Sequence, residues 1–423
     1  MKPNPLLIGT ATRGLSLRLD TYIEPSARER HTYIIGQTGT GKSALLLNLA
    51  AQDLVHGEGL AFIDPHGSTA EQLLTQLPTK RARDLIYLTP DSPRPIGLTF
   101  TTGIKPESRS LATEAILSAF LHIWGENAIG ARSQQVLRNS LRLIMDANQN
   151  LLAIPKLLND ETYRAMLLKT LDDPVVSSYW TNQYARYDDR FRNEVISPIL
   201  NKLDAFLGVP TLRNILCQPS NTVDLRRLMD EGKILIVNLS KGRLGEAPAH
   251  LLGALLVSAL MTTAFSRHDT PEERRRPFHI YADEFQNFAT DSFSLVLSEA
   301  RKYRLSLTLA HQFLAQVPES IRHAVLGNAA SLIAFRIGAD DAPLIAQQFD
   351  LETPQAFQNL SNFTALYRTL EDGSPSTPQL IATFRPPRPL HTRVRQYIDA
   401  SAQRFGRDRA KIEAGIGRFL KVS

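Results

Sequence analysis

The chain's 423 residues, 43% hydrophobic and 21% charged, are ordinary globular composition with length enough for two or three domains. Its single cysteine, Cys217, excludes an internal disulfide and any cysteine-built zinc cluster, and suits a reducing compartment. The net charge of +6 invites an anionic partner, but the excess sits in the tail, where Phe384 to Ser423 carry ten Arg or Lys against three acids.

The opening residues MKPNPLLIGTATRG lack the continuous apolar core and small-residue cleavage site of a secretory signal, so the chain reads as cytoplasmic. LSLRLD (15–20) alternates like a strand, and the polar EPSARER leads from this small β element into the core. HTYIIG is a buried strand that runs into GQTGTGKS, Gly36 to Ser43, with the leucine-rich helix Ala44 to Ala50 behind it. Strand before and helix after is the context in which G-x-x-x-x-G-K-[ST] acts as a phosphate-binding loop. Gly36, Gly39 and Gly41 let the backbone of the loop, with Thr38 and Thr40, turn its N–H groups onto a polyphosphate, and the helix continuing through Ala44 adds its positive end. Lys42 supplies charge to the terminal phosphates, and the Ser43 hydroxyl can hold Mg²⁺.

GLAFID (59–64), followed by PHGS, and DLIYLT (84–89) are the next two strands, separated by a helix over 69–77. This alternation predicts an α/β fold with a mostly parallel central sheet, whose ligands sit at the carboxyl ends of the strands. Prolines 90, 93, 95 and 106 mark an irregular connection that closes the first part of the nucleotide-binding domain, 1–106. From about 107 to 220 only helical periodicity is present, as in LATEAILSAFLHIW, which predicts an inserted all-α domain. Between 107 and 215 it carries twelve basic and twelve acidic residues, a poor electrostatic footprint for DNA. Tyr179, Trp180, Tyr184, Arg186 and Tyr187 offer stacking groups, although aromatics at helical spacing are core residues more often than not.

Strand–helix alternation resumes over 221–385, the second part of the nucleotide-binding domain. GKILIVNLS, FHIYA, LSLTLA and SLIAFRI read as strands, Ala247 to Phe265 and Ser292 to Tyr303 as helices, and 363–369 with 380–384 as a terminal hairpin around EDGSPSTP. The apolar run Leu251 to Phe265 is short for a bilayer span and contains Ser258, Thr262 and Thr263, so it reads as a buried helix. PPRP is a rigid linker into a basic helical tail, 386–423. Nucleic acid, an acidic partner, an anionic membrane or plain solvent all suit that tail.

A phosphate loop binds nucleotide, and hydrolysis needs more. Asp283 and Glu284 stand at a strand's carboxyl end, where Asp283 can hold Mg²⁺ with Ser43 and Glu284 can orient or deprotonate the attacking water. An acidic pair there can also cap the next helix. Gln312, after LSLTLA-His311, suits an amide sensor of the terminal phosphate, or a helix cap. Asp64 and His66 lie one strand away, and a lone histidine after a strand is commonly structural.

Together GQTGTGKS, GLAFIDPHGS, YADEFQNF, EARKYRLSLTLAHQFLAQVPESI and GNAASLIAFRIGADDA resemble the HerA/FtsK superfamily of hexameric motor ATPases, within it the conjugative coupling-protein and type IV secretion branch. The resemblance spans about residues 6 to 385. It implies a RecA-like P-loop NTPase with an all-α insertion, ATP and Mg²⁺ as ligands, and a homo-hexamer ring hydrolysing ATP at its interfaces to move DNA. It carries over Lys42 and Ser43 as ligands of nucleotide and metal, Asp283 and Glu284 as the Walker B pair, and Gln312 as the sensor. Arg301 matches the arginine presented to the neighbouring subunit, with Arg304 and Arg336 as rivals. Coupling proteins of this branch begin with transmembrane helices, whereas here the loop already stands at residue 36 and no transmembrane segment is read. A cytoplasmic motor recruited to the inner membrane by a secretion or relaxosome-like partner fits that departure. The alternative is a nucleotide-gated assembly ATPase of a secretion or defence complex that does not thread DNA.

Overall fold

The computed structural model describes residues 4–13, 17–125, 127–290, 292–371 and 373–421. The first three residues, Leu15 and Ser16 of the LSLRLD strand, Asp372 of the EDGSPSTP turn and the last two residues of the tail lie outside the described residues. The chain divides into two compact units. The first comprises Met1–Leu88, Arg226–Ser240 and Arg267–Ser401, and the second Thr89–Leu225, Lys241–Ser266 and Ala402–Ser423.

The first unit is built on one eleven-stranded sheet. Its strands are β1 (Leu6–Arg13), β2 (Leu17–Ile23), β3 (Thr32–Ile35), β4 (Gly59–Asp64), β5 (Leu85–Leu88), β6 (Ile234–Asn238), β7 (Phe278–Ala282), β8 (Leu305–His311), β9 (Ser331–Ala334) and β10 (Thr364–Arg368). After the two-stranded ribbon β11 (Leu370–Glu371) and β12 (Ser374–Pro375) comes β13 (Gln379–Thr383), and the sheet runs β2-β1-β13-β10-β9-β3-β8-β7-β4-β6-β5. From β9 to β5 neighbouring strands are parallel, whereas β10, β13, β1 and β2 continue the sheet antiparallel. Every residue of β3, β4 and β6 through β9 is buried, which is why these segments read as mainly apolar runs without strict alternation: a parallel sheet is covered on both faces. The predicted strand SLIAFRI is shorter than read, because the ladder ends at Ala334 and the chain turns there toward the Gly36–Ser43 loop.

Parallel pairing fixes where the chemistry can gather. Ile35 of β3 is level with His311 of β8 and Ala334 of β9, and Ala282 of β7 with Ile63 of β4. The carboxyl ends of β3, β4, β7, β8 and β9 therefore line one edge of the sheet. The helix Lys42–His56 packs Leu45, Leu46 and Leu49 into the same core as Ile34, Phe62 and Ile236. Beneath it Arg28 pairs with Asp53, whose carboxylate also accepts from Tyr281 Oη at 2.6 Å.

The second unit is mainly helical and does not follow the sequence boundaries at 107, 220 and 386. It takes in the proline-rich stretch from Thr89, the helix Glu246–Phe265 and the last helix, Arg409–Lys421. Glu246–Phe265 packs against Arg109–Trp124 and buries Leu251, Leu252, Leu255, Leu256 and Leu260. A helix apolar all round announces burial but not which core receives it. With twenty residues it is longer than the apolar run read from sequence. Among the described residues one stretch, 246–269, is long and apolar enough to cross a membrane, and 67% of its most apolar window is buried inside the protein.

Tyr179, Trp180 and Tyr184 are buried against one another, with Trp180 and Tyr184 ring centroids 4.8 Å apart. They build this unit's core and offer bases no stacking face. The basic tail is also fastened. Residues to Ser401 belong to the first unit, with Tyr397 in its core and Ser401 Oγ accepting from Tyr87 N at 2.8 Å. Ile412 and Ile416 of the last helix are buried, and Arg409 donates to the carbonyls of Asp91 and Ser92.

Candidate nucleotide site

β3 ends at Ile35, and the chain enters the loop through Gly36, where an added Cβ would stand 2.6 Å from Phe335 Cβ. Gly41, at φ +123°, holds a conformation that side-chain-bearing residues rarely adopt, and a Cβ there would press on the rings of Phe335 and Phe363. Thr40 is buried and its hydroxyl donates to Gln37 O at 2.7 Å, while Thr38 and Gly39 form the exposed rim. The helix then starts at Lys42 with Ser43 and Ala44 in its first turn.

Lys42 is buried, and its Nζ donates to the carbonyls of Gly36 at 2.6 Å and Gln37 at 3.2 Å, so the ammonium is folded into its own loop. Burial lowers its affinity for a proton, with Glu284 and Asp283 opposing. Polyphosphate oxygens arriving in the loop would replace two weak carbonyl acceptors with charged ones.

The first unit brings Asp283 to this helix, where Ser43 Oγ donates to Asp283 Oδ2 at 2.7 Å. Burial pushes the Asp283 carboxyl up to about 6; the Ser43 hydroxyl works against that rise, and the charges of Glu284 and Asp64 add to it. A carboxylate so resisted by its neighbours is one that a divalent cation would stabilise. Among the described residues no group of three or more His, Cys, Asp or Glu is placed to hold a metal. The donor set is one carboxylate and one hydroxyl, which suits Mg²⁺ completed by phosphate and water.

Glu284 follows in the left-handed region, at φ +48° and ψ +49°, a costly conformation for a residue with a side chain. Both its carboxylate oxygens are held by amides. Gln312 Nε2 donates to Oε1 at 2.8 Å, and Gln286 Nε2 to Oε2 at 2.7 Å. Gln312 comes from the end of β8, beside His311, which is buried against Phe285 at 5.1 Å and hydrogen-bonded to Tyr33 of β3. The Asp283–Glu284 turn and the Gln312 turn are thus packed through Phe285 and His311 as well as through Glu284.

The remaining sequence candidates separate. Asp64 accepts from His66 N at 2.8 Å and Ala70 N at 2.9 Å, so its carboxylate anchors the turn into the helix Ser68–Leu74, and His66 is exposed. Arg336 lies on its own loop, its backbone O accepting from Gln37 N at 2.8 Å and its guanidinium donating to Asn362 Oδ1 at 3.1 Å. Arg304 is ion-paired to Glu29. Arg301 is exposed in the turn Ala300–Tyr303 just before β8, at the edge of the sheet opposite the loop, and no hydrogen bond or ion pair holds its side chain among the described residues. Gln286 and Arg336's grip on Gln37 carried no motif. The one sequence signal for Gln286 is its place two residues after Glu284 in YADEFQNF.

The family described as Helicase HerA, central domain, matches over residues 7–258. No curated protein sequence matches the chain. Among solved structures, the unbound bacterial conjugative coupling protein TrwBdeltaN70 superposes with a TM-score of 0.62 at 16% identity, covering 86% of this chain and 87% of that one. The plasmid coupling protein TrwB in complex with ADP and Mg²⁺ gives 0.59 at 18% identity, covering 91% and 97%. VirB4 of Thermoanaerobacter pseudethanolicus gives 0.54 at 13%, covering 91% and 98%. At these identities the likeness is one of fold, the RecA-like α/β fold with a large, mostly parallel sheet.

Proposed function

Because this chain belongs to the HerA helicase central-domain family, we propose that it is an ATP-driven DNA translocase, a motor ATPase of conjugation or type IV secretion type. The observation that carries the reading is the convergence of Lys42, Ser43, Asp283, Glu284 and Gln312 from three parallel strands onto one edge, with Ser43 bonded to Asp283 and Gln312 to Glu284. ATP would lie in the Gly36–Ala44 loop, and Mg²⁺, held by Ser43 and Asp283, would neutralise charge on the transferring phosphoryl group. Lys42 turns from its own carbonyls to the terminal phosphates. Glu284 orients the attacking water and takes its proton, and Gln312 couples that carboxylate to the state of the terminal phosphate. Support for nucleotide and metal comes from the fold's likeness to TrwB, whose structures include complexes with ADP and Mg²⁺ and with an ATP analogue.

The motor would be a homo-hexamer ring in which Arg301 serves the neighbouring subunit. A residue acting in trans must be exposed and remote from its own loop, and Arg301 meets both conditions where Arg304 and Arg336 do not. DNA is the proposed cargo, and the cations of the last helix are the chain's contribution to holding it or a relaxosome-like protein. Steady-state ATPase of the purified chain, with and without DNA at two salt concentrations, tests this. Stimulation by DNA that fades with salt is the expected result, because phosphate contacts release counterions. A slow rate indifferent to DNA would replace the translocase with a nucleotide-gated assembly ATPase.

A further inference from the structure

Beside the loop lies a second, flat-faced site that the phosphate chemistry does not use. In the nucleotide reading Lys42 would face the terminal phosphates, and the helix's first turn, through Ala44, would face the inner ones, from which the rest of a bound nucleotide would extend. One helical turn further, on the same face, stands Asn48. Its Nδ2 donates to Ala44 O at 2.9 Å, Arg385 O at 3.1 Å and Phe384 O at 3.3 Å, which clamps the chain leaving β13 alongside the loop's own helix.

Phe363 is fixed against the same corner. Its backbone N donates to Thr40 O at 2.7 Å, and its carbonyl accepts from Thr383 N at 2.7 Å and from the Thr383 hydroxyl at 3.1 Å. These bonds hold it at φ +61°, and its ring lies against Gly41, yet the residue stays half-buried rather than entering the core. Backbone strain of this kind persists where surrounding bonds over-determine it, and it gathers at ligand clamps. Above the ring, 5.4 Å from its centroid, sits the guanidinium of Arg385, itself exposed. A phenyl ring and a planar cation, both pinned by backbone and both open to solvent, are the two groups on which a heterocyclic base stacks.

We infer that Phe363 and Arg385 form the subsite for the nucleobase of the bound nucleoside triphosphate, an inference that rests on the nucleotide reading above. The pair presents faces, so it grips any base by stacking without reading its edge, and adenine and guanine nucleotides are held alike.

Calorimetric titration of the full chain in Mg²⁺ separates base from phosphate. The ligands are the imido analogues of ATP and GTP and inorganic tripolyphosphate, and the proteins are the parent, Arg385→Ala and Phe363→Leu, the last keeping an apolar side chain against Gly41. In each variant both nucleotide analogues should bind about 10- to 100-fold more weakly while tripolyphosphate binds as before. Equal weakening of nucleotide and tripolyphosphate would mean that the pair shapes the loop or contacts phosphate, and unchanged nucleotide affinity that it touches nothing; either overturns the subsite. A parent protein that binds tripolyphosphate and nucleotide equally well overturns it too, leaving the loop intact. A parent that binds none of the three ligands overturns the nucleotide reading itself.

Discussion

Replacing Gln286 with methionine would remove one of the two amides on Glu284 while keeping the side chain's length and bulk. The lost bond, Nε2 to Oε2 at 2.7 Å, is one to a charged acceptor, a class worth about 1.5 to 3 kcal/mol. Gln312 still holds the other oxygen, and the left-handed backbone at Glu284 still sets where the side chain starts, so the lower end of that range applies. About 1.4 kcal/mol of positioning is a tenfold loss in rate. Because no hydrogen bond joins the Gln286 side chain to the Gly36–Ser43 loop among the described residues, the loss should fall on kcat and leave KM alone. The loss in stability should be partly offset, since Gln286 Oε1 is buried without a hydrogen-bond partner among the described residues and methionine removes that orphan acceptor together with the donor. Steady-state ATPase kinetics beside a thermal melt decide the matter. A kcat equal to or above the parent's, with an unchanged melting temperature, would refute the idea that this amide positions the base.

Glu284→Gln should bind nucleotide at the parental affinity and stall, with turnover lost in a phosphate-release assay; parental turnover would remove Glu284 from the catalytic role. Arg301→Ala should lose about 10³- to 10⁵-fold in kcat with nucleotide binding intact by calorimetry. Stability should decline on acidification from near neutral pH. Burial holds His31 near about 4 and His279 and His311 near about 3, each below the ordinary 6.5, so the unfolded chain binds more protons as soon as pH falls under 6.5. The contribution is fully present above that value and is lost downward from pH 6.5 to about 4 for His31 and to about 3 for His279 and His311, about 2 kcal/mol per histidine at pH 5. Urea melts at pH 7.5 and 5 read it, and an unchanged midpoint would contradict neutral burial of the three rings.

The parallel core was legible because burial on both faces leaves few polar residues within a strand: β4 reads GLAFID and β6 ILIVN. The strand before the LSLRLD stretch, β1, was harder, since LLIGTATR mixes Gly and Thr with its apolar residues, as an antiparallel strand near a sheet edge can. Unit membership was the least legible feature. Glu246–Phe265 is apolar on every side, so its sequence states that it is buried and leaves its neighbours open. In the basic tail, composition shows the charge and not the contacts, which are made by interspersed residues, Tyr397, Ser401, Ile412 and Ile416, together with the cation Arg409.

At the site, motif and geometry divide the labour in a way that explains what sequence can find. In the proposed site Lys42, Ser43, Asp283 and Glu284 would be fixed by chemistry that tolerates few residue types, so they stand out along the chain. Gln286, Phe363 and Arg385 would act through where their neighbours hold them: Glu284 is turned to φ +48° beside Gln286, Thr40 and Thr383 pin the backbone of Phe363, and Asn48 grips the carbonyl of Arg385. Thr40 and Asn48 lie far in sequence from Phe363 and Arg385 and are adjacent to them only because β3 and β9 run side by side and β10 and β13 continue the sheet beyond them. The sheet order is therefore part of the site's chemistry. Gln312 reaches Glu284 because β8 lies between β3, which carries the loop, and β7, which carries the carboxylates. A displacement of the β8 end by a terminal phosphate would be felt at Glu284 through a single hydrogen bond and the Phe285–His311 ring contact, without passing through the rest of the unit.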